Sequence, residues 1–354
     1  MTSIGELKRR TLESLTRPSY ALSNQDIVIL NNNANLFGMN PAVQEVAETF
    51  DFGRLWAYPS ENSDTLREHL ASQLSVSADE IIIGNGSDEL LDIISKGFIN
   101  PGDVFCQPTP TFRMYRFYAK VNMATIEEKI LSEGFSLPVE DILSSNPKLV
   151  ALCQPNNPTG NLFDRNGIVR ILSECEGIVL LDEAYFDFCD SDMLGDVMDC
   201  QFGIDVRTFS KAYGLAGLRA GYAVARKEIV DNLRLVRTPF GLNSFTEAVA
   251  IAALDHKDWM KANVHEMKRE RQRLSEELGS LGFRVYPSEC NFILCKSPVG
   301  SGDLVRNLIE KGVAIRDFGS YPLLEDHVRV TVGPREYMDM LLEAVAPLIN
   351  GEFS

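Results

Sequence analysis

The residues with the clearest chemical potential lie in the run RTFSKAYGLAGLRAGY, residues 207–222. Lys211 stands near its centre. Two hydroxyl side chains, Thr208 and Ser210, precede the lysine, and Arg219 follows it eight residues later. A lysine amine can bind an aldehyde covalently, and hydroxyls together with an arginine suit a phosphate monoester. The run therefore suits a ligand that carries both groups, although a surface lysine in a loop between a strand and a helix would have the same local sequence.

A second candidate is an anion site near residue 86. The apolar run 80–84 has the pattern of a buried strand, and it leads directly into Asn-Gly-Ser-Asp and a helical stretch. Backbone N–H groups of Gly86, Ser87 and Asp88 would converge at the start of that helix, where the helix dipole favours an anion. A capping box around Ser87 explains the same residues equally well.

Two further segments carry polar residues at the ends of predicted strands. The turn QPNNPTG (residues 154–160) contains Asn157, and LLDEAY (residues 180–185) contains Asp182 and Tyr185. Alone, the first could be a simple turn and the second an exposed acidic loop. Because most of these candidates fall where a strand ends, they match the place where ligands bind in doubly wound α/β sheets.

The pattern of elements predicts an α/β protein with two domains and an arm. Buried strands alternate with helices up to about residue 225, which indicates a large doubly wound, mostly parallel sheet. The predicted strands are 80–84, 103–106, 122–127, 148–153, 177–182, 204–209 and 220–225. From residue 246 a long charged helix and short strands predict a smaller α+β domain. We therefore expect an arm (1–40) that contributes to the small domain or a dimer, a large domain (41–245) and a small domain (246–354).

Composition excludes several classes of protein. The net charge of −16 argues against a general nucleic-acid or membrane surface. No apolar run approaches the length of a membrane span, and the first ten residues do not form a signal peptide. Seven cysteines without a C-x-x-C pair, and four scattered histidines, predict reduced thiols and no metal site. We expect a cytoplasmic protein.

Taken together, the motifs resemble the fold-type I enzymes that depend on pyridoxal 5'-phosphate (PLP), and among them the aminotransferase group that includes histidinol-phosphate aminotransferase. The resemblance runs from Asn31 to about Pro347. Its most specific parts are PNNPTG (155–160), DEAYFDF (182–188), TFSKAYGLAGLRAGY (208–222) and VRVTVG (328–333). Each motif alone is weak or moderate, but they occur together in one order. The resemblance implies the fold of aspartate aminotransferase.

The resemblance also implies roles for single residues in cofactor binding. Lys211 would hold the PLP aldehyde and later move a proton, Asp182 would face the pyridine nitrogen, and Tyr185 with Asn157 would bond the ring oxygen. Phe112 would stack on the ring, although a core aromatic could occupy the same position. The phosphate would be held by backbone N–H groups and side chains of Gly86, Ser87, Asp88, Thr208, Ser210 and Arg219.

Substrate and partner residues are implied in the same way. Arg329 matches the arginine that holds the substrate carboxylate or phosphate, and Arg316 would reach the same pocket, although a strand-end arginine can also form a surface ion pair. Tyr58 matches a tyrosine that reaches the phosphate of a neighbouring subunit, which implies a homodimer. Tyr20 would lie over the site from the arm. The Asn-Pro bond before Pro158 is expected to be cis, as is frequent in this family.

The expected reaction is amino-group exchange between L-histidinol phosphate and 2-oxoglutarate, in histidine biosynthesis. Alternatives on the same scaffold are an aromatic amino acid aminotransferase and a threonine-phosphate decarboxylase. The substrate stays open because residues 33–38 (NANLFG) replace NENPYG, and Ser60-Glu61 replaces an aspartate. A PLP-binding regulator is disfavoured by the strong negative charge, and an α/β protein without a cofactor is the remaining alternative.

Overall fold

The computed structural model describes residues 8–13, 15, 27–349 and 351. Within this part of the chain, the α-helices are α1 (Pro41–Thr49), α2 (Asp64–Leu74), α3 (Ser87–Phe98), α4 (Met114–Val121), α5 (Val139–Ser144), α6 (Arg165–Glu174), α7 (Leu194–Asp199), α8 (Lys227–Val236), α9 (Ser244–Asp255), α10 (Lys257–Ser280), α11 (Ser301–Glu310) and α12 (Arg335–Ile349). Short 3-10 helices cover Arg10–Glu13, Phe52–Arg54, Ala78–Glu80, Glu133–Phe135, Phe186–Phe188 and Ala216–Leu218.

The strands form one large and two smaller sheets. They are β1 (Val28–Ile29), β2 (Ile81–Gly84), β3 (Val104–Thr109), β4 (Thr125–Ile130), β5 (Leu149–Cys153), β6 (Ile178–Asp182), β7 (Gly203–Thr208), β8 (Gly221–Ala225), β9 (Arg284–Val285), β10 (Phe292–Lys296), β11 (Val313–Ala314), β12 (Arg316–Asp317) and β13 (His327–Thr331). The seven-stranded sheet has the order β2-β8-β7-β6-β5-β3-β4. In this sheet β8 runs antiparallel to both of its neighbours, β2 and β7, and the remaining neighbouring pairs are parallel.

Alternation along the strands gives the large sheet two apolar faces, because successive side chains point to opposite sides. Ala151 of β5 packs in the core beneath α3, α4 and α8, whereas Val150 and Leu152 pack in the core beneath α6. Helices on both faces explain why these strands are continuous apolar runs. The predicted α/β fold with a mostly parallel sheet is confirmed.

The second sheet lies in the C-terminal part of the chain and has the order β12-β13-β10-β9. The short strand β1, from the N-terminal segment, pairs in parallel with β11 of this region. Since the strands of the large sheet all lie between residues 81 and 225, and those of the second between 284 and 331, we propose the division into 1–40, 41–245 and 246–354.

Local signals explain several element boundaries. Helix α1 begins with Pro41, whose missing N–H costs nothing at that position, and the Asn40 side chain caps it by accepting from the Ala42 N–H at 3.0 Å. The segment 313–317 forms two short strands, β11 and β12, which belong to different sheets.

Candidate functional site

A cavity of about 410 Å³ opens beyond the carboxyl ends of β5, β6 and β7. Most of the predicted site residues line it, which follows from the fact that parallel strands end at the same edge of the sheet. These lining residues are Ser87, Asp88, Phe112, Asn157, Asp182, Tyr185, Thr208, Ser210, Lys211, Arg219, Arg316 and Arg329. The residues that line the cavity come from positions as far apart in the sequence as Asn31 and Arg329.

Lys211 presents its amine to the cavity just after β7. The amine donates hydrogen bonds to two backbone carbonyls, of Asn32 at 3.3 Å and of Asn33 at 3.2 Å. Burial, and then the positive charge of Arg329, lower the pKa of this amine to about 8. A larger fraction of Lys211 is therefore uncharged and nucleophilic near neutral pH than for an ordinary lysine.

Asp182, the last residue of β6, is buried with its carboxylate towards the cavity. The Tyr115 hydroxyl donates to one oxygen at 2.7 Å, and the Ala184 N–H donates to the other at 2.9 Å. Burial raises the pKa of Asp182 to about 6 because these neutral donors replace water only in part. A cationic group in the cavity would stabilise this carboxylate.

The Tyr185 hydroxyl receives two amide donors. Asn33 Nδ2 lies 2.9 Å from it and Asn157 Nδ2 lies 3.3 Å from it. Burial raises the pKa of Tyr185 far above its ordinary value, so the hydroxyl keeps its proton. Asn157 in turn accepts from the Arg329 guanidinium through Oδ1.

The start of helix α3 and Arg219 form the most suitable anion site in the cavity. Arg219 donates to Asp88 at 3.1 Å and to the Ser210 hydroxyl at 3.4 Å. The first turn of α3 offers the N–H groups of Ser87 and Asp88, which have no partner within the helix. Gly86 has φ +81°, and a Cβ there would lie 2.5 Å from Arg219 Nη2, so only glycine lets the guanidinium approach this closely.

The N–H of Gly86 donates to the carbonyl of Gly84 at 2.8 Å, and the residue is not among those that line the cavity. The glycine makes room for Arg219, and its contact with a phosphate stays a prediction. Thr208 lines the cavity as expected, and its hydroxyl also accepts the Ser210 N–H at 3.1 Å.

Two arginines enter the cavity from the second sheet. Arg316 in β12 and Arg329 in β13 face each other in register, and like charges directly opposite one another destabilise a strand pair. Arg329 also donates to the carbonyl of Asn31 at 3.0 Å. Burial lowers the pKa of Arg329 to about 10. An anion between the two guanidiniums would offset their repulsion.

One predicted residue lies elsewhere in this chain, and another cannot be placed. Tyr58 is 82% exposed, and its ring packs against Phe240 at 5.0 Å, away from this cavity. Tyr20 lies outside the described residues. The peptide bond between Asn157 and Pro158 is cis, as predicted, and the bonds before Pro110 and Pro155 are cis as well.

Sequence reasoning missed several residues of the cavity. A run of asparagines such as 31–33 locally indicates only a turn, but these residues line the cavity and their carbonyls accept from Lys211 and Arg329. Tyr115 does not line the cavity, but its hydroxyl donates to Asp182. It follows Phe112 by three residues in the same motif, and that spacing was the available signal. Additional lining residues are Thr111, Arg113, Cys153, Ala184, Phe318 and Tyr321.

Comparison with known proteins identifies the family. The model of the family "Aminotransferase class I and II" matches residues 25–345. The chain therefore belongs to this aminotransferase family. A histidinol-phosphate aminotransferase of a Thermoanaerobacter species is 38% identical over 87% of this chain and 88% of that protein. The expected membership among PLP-dependent aminotransferases is thereby confirmed.

Solved structures agree with this assignment. The histidinol-phosphate aminotransferase of Sinorhizobium meliloti in complex with pyridoxal 5'-phosphate has a TM-score of 0.88 and 25% identity, and the match covers 97% of this chain and 98% of that one. A Thermus thermophilus aspartate aminotransferase variant, at 22% identity, a TM-score of 0.81 and coverage of 96% and 99%, shares the fold. The predicted aspartate aminotransferase-like fold is confirmed.

No helix among the described residues is long and apolar enough to cross a membrane. In the same part of the chain, no group of three or more His, Cys, Asp or Glu side chains is arranged to hold a metal ion. The seven cysteines carry free thiols.

Proposed function

We propose that the cavity binds pyridoxal 5'-phosphate and that Lys211 is the residue to which its aldehyde becomes attached. The donor set fits each part of the cofactor. The amine of Lys211 has a lowered pKa, the buried Asp182 carboxylate suits a protonated ring nitrogen, and the Tyr185 hydroxyl suits the ring oxygen. Ser87, Asp88, Ser210 and Arg219 suit the phosphate, and Phe112 offers an aromatic face.

When bound, the cofactor supplies an electron sink for the bonds of an attached amine. The side chains of this protein would transfer the proton, stabilise the charge on the ring and orient the substrate. Lys211 Nζ would take the proton from the substrate carbon that bears the amine and return it to the former aldehyde carbon on the other side of that nitrogen. Asp182 would keep a positive charge at the ring nitrogen, and Arg329 would orient the substrate anion. Closely held groups of this kind contribute through position and charge.

We further propose that the amino donor is L-histidinol phosphate and the acceptor 2-oxoglutarate. The observation that carries this proposal is the cross-strand pair Arg316–Arg329, which lines the same cavity as the Lys211 amine. Two adjacent guanidiniums suit a phosphate dianion, which takes several charge-assisted hydrogen bonds. The aromatic side chains Phe318 and Tyr321 also line the cavity and would pack against a flat ring. The similarity to histidinol-phosphate aminotransferases supports the same substrate.

The test compares three donors with the purified, PLP-loaded protein. Glutamate formation from L-histidinol phosphate and 2-oxoglutarate, with a higher kcat/KM than from L-phenylalanine, is the expected result. A higher kcat/KM for the aromatic amino acid would contradict the proposed donor. Release of carbon dioxide from threonine phosphate, without glutamate formation, would contradict an aminotransferase reaction. A Lys211→Ala variant is the control for catalysis outside this site.

We also propose a homodimer in which Tyr58 reaches the neighbouring cofactor site. Its support is the exposure of large apolar side chains around it, with Trp56 84%, Leu55 60% and Phe52 53% exposed. Such a patch is unusual on a monomer surface. Sedimentation should give twice the chain mass, and a mixture of inactive Tyr58→Ala and Lys211→Ala chains should regain activity after subunit exchange. A monomer, or a mixture that stays inactive, would contradict this arrangement.

A further inference from the structure

Asn33 is buried at the centre of the site and uses nearly all of its polar groups there. Its side chain is 1% exposed, and its backbone has φ +57°, a left-handed conformation that asparagine adopts more readily than most residues. Its carbonyl accepts from Lys211 Nζ at 3.2 Å and from Asn291 Nδ2 at 3.1 Å. Its N–H donates to Thr331 Oγ1 at 3.0 Å. Asn33 therefore joins the N-terminal segment to Lys211, in the loop after β7, and to β13.

The two amides at the Tyr185 hydroxyl have fixed orientations. Asn157 must direct Nδ2 to the hydroxyl because its Oδ1 faces Arg329, which can only donate. The Thr331 hydroxyl accepts from the Asn33 N–H and donates its own hydrogen to Asn33 Oδ1, with Oγ1 and Oδ1 3.4 Å apart. Asn33 Nδ2 therefore also faces the hydroxyl, at 2.9 Å. The oxygen receives two N–H donors.

This arrangement determines where the Tyr185 proton points. A phenol has one hydrogen and two acceptor lone pairs on its oxygen. With two amides donating to the oxygen, the hydrogen must point away from both of them, and Tyr185 lines the cavity. With only one amide left, the hydroxyl could rotate and donate elsewhere.

We propose that Asn33 is a positioning residue that, together with Asn157, fixes the Tyr185 hydroxyl as a hydrogen-bond donor into the cavity. The inference rests on the proposed function, because the acceptor in the cavity is the ring oxygen of PLP. A hydrogen bond donated to that oxygen stabilises its anionic form. It therefore lowers the pH at which the bound cofactor loses its proton. Asn33 acts on this pH through Tyr185 and does not itself touch the ring.

The test is a pH titration of the absorption of the PLP-loaded protein and its variants. Asn33→Gly removes the amide and tolerates the positive φ. We expect its titration midpoint to rise by roughly 0.5 to 1 pH unit, the size of one net hydrogen bond. Tyr185→Phe should raise the midpoint further, and the double variant should match Tyr185→Phe alone, because both substitutions remove the same interaction.

Asn35→Gly is the matched control. Its amide comes from the same segment and donates to the carbonyl of Ala212 at 3.0 Å, but it does not contact Tyr185. Its titration midpoint should equal that of the unchanged protein. Asn33→Ser, whose side chain is too short to reach the hydroxyl, replaces the glycine variant if that variant does not fold.

Three results would overturn the proposal for Asn33. These are an unchanged midpoint in the Asn33 variant, an equal shift in Asn35→Gly, and a shift that adds in full to that of Tyr185→Phe. Failure of the proposed function has a different signature, because the unchanged protein would then show no absorption band of bound PLP at all. The two failures are therefore distinguishable in one set of spectra.

Discussion

Asp182 and Glu183 are neighbours in the sequence, yet they belong to two buried charge clusters of different kinds. Asp182 points to the cavity and belongs to the cavity cluster, which comprises Asp182, Lys211 and Arg329. Glu183 points the other way and pairs with Arg207 at 2.6 Å in the closed cluster, which comprises Glu183, Asp192, Asp205 and Arg207. Side chains alternate at the end of a strand, so one strand end supplies both clusters.

In the closed cluster a single cation, Arg207, is the ion-pair partner of three carboxylates. Arg207 pairs with Asp192 and Asp205, each at 2.7 Å, and lies 3.9 Å from the centre of the Phe186 ring. Its side chain and those of Glu183 and Asp205 are at most 1% exposed. Buried charges of this kind are held by partners, and breaking the set is costly. We interpret this cluster as structural.

The cavity cluster has no such internal pairing among its described contacts. Lys211 and Arg329 donate mainly to neutral carbonyl and amide oxygens, and Asp182 accepts from neutral groups. Burial consequently lowers the pKa of Lys211 to about 8 and raises that of Asp182 to about 6. Charges that lack a protein partner but face a cavity are suited to a charged ligand. The contrast separates binding residues from structural ones on the same strands.

The largest expected effect is the loss of activity in Lys211→Ala. General acid–base catalysis alone contributes up to about 10⁴-fold, and covalent attachment of PLP is lost as well. We expect the rate of glutamate formation to fall by at least about 10⁴-fold, while stability to urea stays the same or rises, because a buried amine has been removed. A variant that unfolds would place Lys211 with the structural residues.

Arg207→Met, in contrast to Lys211→Ala, should lower the stability of the fold. Removing the central cation leaves buried carboxylates without a partner, which costs about 3 to 5 kcal/mol. We expect urea unfolding to show a loss of that size. Arg219→Met is the matched control, because its ion pair with Asp88 is 42% and 46% exposed and such pairs contribute less than about 1 kcal/mol. Equal losses in both variants would remove the distinction between the clusters.

Arg329→Lys should weaken substrate binding while the fold persists. Lysine keeps the charge but loses the planar fork that bonds Asn31 and Asn157 as well as an anion. We expect kcat/KM for L-histidinol phosphate to fall by about 10- to 100-fold, with unchanged absorption of bound PLP. Arg306→Lys, at a side chain that is 72% exposed, is the control. An unaffected kcat/KM in Arg329→Lys would exclude Arg329 from the substrate site.

The smallest expected effect is the pH dependence of the attachment of PLP to Lys211. Burial lowers the pKa of Lys211 to about 8, and only the uncharged amine attacks an aldehyde. The rate at which PLP attaches to cofactor-free protein should therefore rise with pH, reach half its limit at about pH 8 and become constant above about pH 9. About a tenth of the amine is uncharged at pH 7 under this pKa, as against less than a thousandth at the ordinary value. A rate that keeps rising tenfold per unit to pH 10 would contradict the lowered pKa.

The sequence predicts the large sheet well because its strands are continuous apolar runs. The prediction of 148–153 compares with Leu149–Cys153 in the structure, and 177–182 with Ile178–Asp182. Most cavity residues were found for a related reason, since they follow such strands or occur in motifs. Their individual roles remain predictions.

Contacts between distant segments could not be predicted. Asn33 and Tyr185 are 152 positions apart, and an asparagine run taken locally indicates only a turn. The pairing of β1 with β11 likewise joins two segments that lie far apart in the sequence. The engagement of the Gly86 N–H with Gly84 depends on the backbone angles of the turn, which the residue types do not specify.

The most direct test of the cavity cluster as a catalytic site is the near-visible absorption spectrum of the purified protein. We expect a yellow band after addition of PLP, absent in Lys211→Ala, that bleaches when L-histidinol phosphate is added. The Arg207→Lys variant, altered only in the closed cluster, should keep the response if it folds. A protein that stays colourless with PLP, or a band that persists unchanged in Lys211→Ala, would contradict the assignment of Lys211 and the site built around it.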